Sequence, residues 1–104
     1  MVAIPQQGEI WWAETEDKRR PVLVVTRSEA IAVLTGIVVA PVTRTIRDIP
    51  SEVRLGTDEN LEVECVASFD NLQRVLRSSL TSRIGNLGQR SNELCRAMKA
   101  AIDC

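Results

Sequence analysis

Residues 8–26, GEIWWAETEDKRRPVLVVT, set two β-favouring runs on either side of a short polar break. GEIWWAE (8–14) is rich in β-formers, and RPVLVVT (20–26) is a continuous apolar run of the kind a fully buried strand carries. The five residues from Thr15 to Arg19 suit a hairpin loop. The hairpin brings three consecutive cations, Lys18, Arg19 and Arg20, to the mouth of a core strand, where Pro21 begins the apolar run. Trp11 and Trp12 point to opposite faces of a regular strand, so one belongs to the core and the other to the surface or an interface.

Working outward, TGIVVAPVT (35–43) reads as a third strand, and SEAIAVL (28–34) as one or two helical turns capped by Ser28. In LEVECVASF (61–69), Leu61, Val63, Cys65, Ala67 and Phe69 alternate with polar residues, and Val66 alone breaks the pattern. This predicts a strand with one buried face. EVRL (52–55) is its hairpin partner across the GTDEN turn, and LQRVL (72–76) and SRIGNL (82–87) supply further short strands. After Gly88 the period lengthens. Ser91 is placed to cap a helix whose stripe holds Leu94, Met98, Ala101 and Ile102. Five to seven short strands and one terminal helix predict a mainly β chain, a small barrel closed by that helix, in a single domain over residues 1–104.

Composition narrows the chemistry. With 44% apolar and 26% charged residues the chain is an ordinary globular one, and its net charge of -1 does not by itself point to a polyanion. The charges come in blocks: 1–17 hold four acids and no base, 18–54 seven bases and three acids, 55–70 five acids and no base, 71–99 six bases and one acid. Such blocks can fold into a basic face and an acidic face, and a basic groove is what gripping phosphate requires. The absence of histidine excludes paired-histidine nuclease chemistry and histidine-ligated metals. Three cysteines, Cys65, Cys95 and Cys104, without C-x-x-C spacing speak against a disulfide framework or a zinc site. Two are expected as small buried hydrophobes and the third as a frayed terminal residue. No leader pattern or membrane-length apolar run is evident, so a reducing cytoplasm is the expected location.

Three stretches together resemble the MazF/PemK/Kid family of bacterial toxin endoribonucleases: GEIWWAE followed by RRPVLVV, then VVAPVTRTIRDIPSEVRL, then VASFDNLQRVLRSSLTSRIGNL. The resemblance implies an SH3-like barrel of the type shared with CcdB toxins, a homodimer, and cofactor-free, metal-independent cleavage of single-stranded RNA at short sequences. It also implies a cognate antitoxin with an acidic, flexible tail. By position, the family's catalytic arginine falls on Arg20 and its catalytic threonine on Thr43. The loop between the first two strands is shorter here than is usual in the family, which makes tRNA or rRNA as plausible a substrate as mRNA.

The residues suit that chemistry. RNA is cut without metal when its 2′-hydroxyl attacks the adjacent phosphate, leaving a 2′,3′-cyclic phosphate and a 5′-hydroxyl. Arg20 offers a charged fork for two phosphate oxygens and Thr43 a hydroxyl donor. A guanidinium is a poor base at neutral pH, so Asp70 is the carboxylate candidate for taking the proton. Lys18, Arg19, Arg44, Thr45 and Arg47 are the candidate RNA contacts. A CcdB-like gyrase poison is disfavoured because that activity depends on C-terminal residues including a tryptophan, whereas this chain ends in Ala101, Ile102, Asp103 and Cys104. A non-catalytic SH3-like adaptor is disfavoured by the presence of only three aromatic residues.

Overall fold

The computed structural model describes residues 4–102. β1 (Glu9–Glu14), β2 (Arg19–Val24) and β3 (Gly36–Thr43) run antiparallel in sequence, with a single helical turn, α1 (Ser28–Ile31), between β2 and β3. β4 (Glu52–Leu55), β5 (Cys65–Ser68), β6 (Gln73–Leu76), β7 (Leu80–Asn86) and α2 (Ser91–Ile102) follow. The strand order β4-β5-β3-β2-β1-β7, with β6 also paired to β3, curls into a half-barrel with the terminal helix packed on it. Among the described residues no helix is long and apolar enough to cross a membrane.

The continuous apolar run of β2 is explained by burial on both sides. Ile10, Leu23 and Ala40 face a core completed by Phe69 and by Leu94 and Ala97 of α2. Trp11, Val22, Val24, Ile37 and Val39 face a second cluster covered by Ile31 of α1 and by Leu80. Each such side chain contributes about 1.5–3 kcal/mol by leaving water, so the two clusters account for much of the stability of the three central strands.

β3 organises the sheet. One edge pairs with β2 through Val22↔Pro41, Leu23↔Ala40 and Val24↔Val39. The other edge pairs with β6 over Gly36–Val39 and with β5 at Val42 and Thr43, so β5 and β6 act as one long strand interrupted by the 3-10 turn Phe69–Asn71. The β2–β3 ladder stops where both strands carry proline. Pro21 and Pro41 have no N–H to donate, and no rung follows Val22↔Pro41. Val42 and Thr43 therefore continue with β5 alone, which leaves a notch between the end of β3 and the start of β2.

Several expectations are corrected in detail. Ser28 does not cap α1. It is the first helical residue after Arg27, and its Oγ instead accepts the Gln7 N–H at 2.9 Å. Ser91 likewise has helical dihedrals, because the 3-10 turn Gly88–Arg90 leads directly into α2. The helical stripe uses Ala97, which is fully buried, while Ile102 is 64% exposed. Only Cys65–Ser68 of the predicted strand over 61–69 is extended, and all four residues are buried, since β5 lies between β4 and β3 and is covered on both sides. Cys65 is buried but Cys95 is exposed, and Cys104 lies outside the described residues.

Residues 56–64, the connection between β4 and β5, are held by polar groups rather than by a core. Glu59, only 5% exposed, accepts the Gly56 N–H at 2.7 Å and an Arg90 N–H at 3.0 Å. Arg90 also grips Glu93 through two bonds, at 2.8 and 3.0 Å, and donates to the Arg54 carbonyl. The Asn60 side chain donates to the Ile84 carbonyl at 3.0 Å from a left-handed backbone (φ 66°), a conformation that asparagine tolerates well. Gly85 of β7 runs directly beneath this segment, where a Cβ would collide with the Glu59 carbonyl.

Two outcomes follow. Gly85→Ala must push the 57–60 turn off β7, and overpacking of this kind costs about 1–3 kcal/mol, which calorimetry would register as a melting temperature lowered by roughly 4 °C or more. Hydrogen bonding from Arg90, reinforced by its charge and opposed by partial burial, holds the Glu93 carboxyl below the usual carboxylate range. A depressed native pKa stabilises the fold above the unfolded value, about 4.3, and this stabilisation is lost as pH falls through the native value. The stability difference between wild type and Glu93→Gln in urea titrations is therefore present at pH 7 and closes below about pH 4.

Candidate active site

The hairpin loop shrinks to Thr15–Lys18, closed by Thr15 N–H and Oγ1–H donating to the Lys18 carbonyl at 2.9 and 3.3 Å. β2 consequently begins at Arg19, and the alternation of the strand sends neighbouring cations to opposite faces. Arg19, on the side of Trp12 and Pro21, stacks over the Trp12 ring with its guanidinium carbon 4.2 Å from the centroid, and lies 3.8 Å from Glu14. Arg20 turns to the Val22 side, where it lines a shallow depression with Lys18, Thr15, Ala13 and Gln73. Neither the Arg20 nor the Lys18 side chain has a hydrogen bond or ion pair among the described residues.

The larger cavity, about 320 Å³, opens on the other side of the notch. Trp12, Pro21 and Val42 form one side of it, with Thr43 and Arg44 at the end of β3. Leu61, Val63, Cys65 and Ile84 add apolar lining, and Asn60 and Glu62 add polar groups from the 56–64 segment. Burial pushes the Cys65 thiol up from its ordinary pKa, so it serves this wall as a small apolar group. Thr43 Oγ1 accepts the Thr45 N–H at 3.1 Å, which fixes the hydroxyl oxygen at the strand end and leaves its proton to donate elsewhere.

The proposed residues line two separate depressions. Arg20 and Thr43 each stand two residues past the last β2–β3 rung, Val22↔Pro41, at the adjoining strand ends, and Pro21 belongs to the wall of the larger cavity. Arg44 joins Thr43 there. Thr45 and Arg47 line neither depression: the Thr45 N–H donates to Thr43 Oγ1, and the Arg47 N–H donates to Glu52 Oε1 at 3.0 Å. Asp70 lines neither depression. Its carboxylate accepts the Ser51 hydroxyl at 2.5 Å beside the start of β4. Asn60 and Glu62 were missed as site residues because GTDEN and the acids after it read as turn and solvated surface. The left-handed Asn60 was the one local signal that the segment is fixed. Among the described residues no cluster of three or more cysteines and carboxylates is placed to hold a metal ion.

Comparison with known proteins agrees with the fold. The chain is 40% identical over 108 residues to a Mycobacterium tuberculosis protein named probable endoribonuclease MazF5, with all of this chain and 98% of the relative covered. It superposes on the M. tuberculosis toxin MazF-mt6 with a TM-score of 0.83 at 35% identity, covering 91% of this chain and 96% of the other. A mycobacterial endoribonuclease solved with its cognate antitoxin has the same fold, with a TM-score of 0.81 at 22% identity over 94% of each chain. Residues 6–102 match the family model described as PemK-like, MazF-like toxin of type II toxin–antitoxin systems, and the chain belongs to that family.

Proposed function

We propose that this chain is an endoribonuclease toxin that cuts single-stranded RNA without a metal ion, at sites set by the bases beside the scissile phosphate. The observation that carries the reading is that an uncommitted Arg20 side chain and Thr43 stand at the adjoining ends of β2 and β3, each two residues past the last rung Val22↔Pro41, in a chain 40% identical to a relative named as an endoribonuclease. In this mechanism the 2′-hydroxyl gives its proton to water as its oxygen attacks phosphorus, the P–O5′ bond breaks, the departing 5′-oxygen takes a proton from water, and the products are a 2′,3′-cyclic phosphate and a 5′-hydroxyl. Arg20 neutralises the charge that builds on the non-bridging oxygens, and Thr43 Oγ–H donates to one of them. Both are held on strand ends, so their positions are set before substrate binds.

Asp70 receives no proton in this mechanism, because its carboxylate is committed to Ser51 away from both depressions. Lys18 and Arg44 flank the two reacting groups and hold neighbouring phosphates, while Arg19 reaches them from the face of Trp12. The same cations are where an antitoxin with an acidic tail would compete, and a second copy of the chain would extend the groove in a homodimer. The substrate is mRNA, tRNA or rRNA, met in the bacterial cytoplasm, and cleavage of it halts translation.

The test is incubation of RNA with purified protein in chelator, followed by sequencing of fragments with 5′-hydroxyl ends. Arg20→Ala and Thr43→Ala are each expected to lower the cleavage rate by about 10²–10³, with Asp70→Asn close to wild type. Undiminished cleavage by Arg20→Ala would sink the mechanism, and cleavage lost in Asp70→Asn would restore that carboxylate as the base.

A further inference from the structure

The cavity beside the notch has a feature that phosphate binding does not use: its lining brings a hydroxyl and a cation from the end of β3 together with an amide and a carboxylate from the 56–64 segment. Thr43 and Arg44 line one wall and present a hydroxyl and a cation. Asn60 and Glu62 line the other, in a segment whose acids would repel a phosphate chain. One N–H of the Asn60 amide is spent on the Ile84 carbonyl at 3.0 Å, which leaves that side chain its carbonyl oxygen and one further N–H. Glu62, exposed and without a partner among the described residues, offers only acceptors. Between the walls the lining is apolar, built from Pro21, Val42, Leu61 and Ile84, with the half-buried Trp12 ring at one side and Arg19 stacked over it.

We infer that this cavity is a nucleobase pocket selective for a base with an exocyclic amino group, and that Glu62, with Asn60, reads that group. The inference rests on the endoribonuclease reading and adds to it a specificity element. A planar ring fits an apolar slot with an aromatic wall, and stacking of this kind is tolerant of base identity. Selectivity must then come from the polar edge. The Glu62 carboxylate accepts from the amino donors of adenine, cytosine or guanine, whereas uracil has no amino group and its one edge donor, N3–H, lies between two carbonyl oxygens that the carboxylate repels. Thr43, to which the proposed mechanism gives the scissile phosphate, lines the same cavity, so the base that is read neighbours the scissile bond.

The experiment is cleavage of a randomised single-stranded RNA library in chelator by wild type, Glu62→Gln and Glu62→Ala, with 5′-hydroxyl ends sequenced. Wild type is expected to disfavour uracil at one position next to the cut. Glu62→Gln, which gives the wall a donor able to meet a uracil carbonyl, should raise uracil at that position about tenfold, and Glu62→Ala should flatten the preference there. Other positions should not change. Because Glu62 is exposed, thermal melting of both variants should match wild type. Active variants with the wild-type preference at every position would overturn the base pocket and leave the endoribonuclease reading standing. The same unchanged preference, together with lost neutralisation by the antitoxin, would assign the cavity to a protein side chain and likewise overturn it. Absence of cleavage by the wild type would instead remove the endoribonuclease reading, and the base pocket with it.

Discussion

The loss of two backbone donors shapes this molecule more than any single contact. Pro21 on β2 and Pro41 on β3 lie at the same end of one ladder, and the ladder ends there at Val22↔Pro41. A sheet whose central strands are buried on both faces would otherwise run to its rim with every edge group paired. Here two strands are opened by one pair of prolines while Val22, Leu23 and Val24 hold them rigidly a residue away. Arg20 and Thr43 are carried on those opened ends. The stable core and the uncommitted polar groups are thus consecutive in sequence, which is why cations stand at the mouth of a buried strand.

The second determinant is the 56–64 segment, which has little core of its own and is held by Glu59, Arg90 and the side chain of Asn60. Its position gives the cavity beside the notch a second wall. The charge blocks of the sequence are therefore not sorted into one basic and one acidic face. Arg44 from a basic block and Glu62 from an acidic block line the same cavity. A chain with a net charge of -1 still presents a local group of cations, because Lys18, Arg19, Arg20 and Arg44 stand at the start of β2 and the end of β3.

Much of this was legible in the sequence, for definite reasons. The hairpin of β1 and β2, the third strand ending in Thr43 and the terminal helix all carry strong hydrophobic patterns, and the motifs around Arg20 and Thr43 sit within them. The misreadings arise where tertiary contacts override local chemistry. Ser28 and Ser91 look like caps, but one is drawn to Gln7 and the other is entered from a 3-10 turn. Leu61 and Val63 alternate as in a strand, yet they leave the sheet to wall the cavity. Asp70 follows the expected strand but is turned to Ser51, a partner 19 residues away that no local pattern discloses.

The central claim is that Arg20 and Thr43 act on one phosphate across the notch, and a double-mutant cycle tests it most directly. Cleavage rates of a single defined RNA would be measured for wild type, Arg20→Ala, Thr43→Ala and the double variant. Groups that stabilise the same transition state are coupled, so the double variant should be about as slow as the slower single one. Effects that multiply independently would contradict the account, since they would place the two side chains on different phosphates.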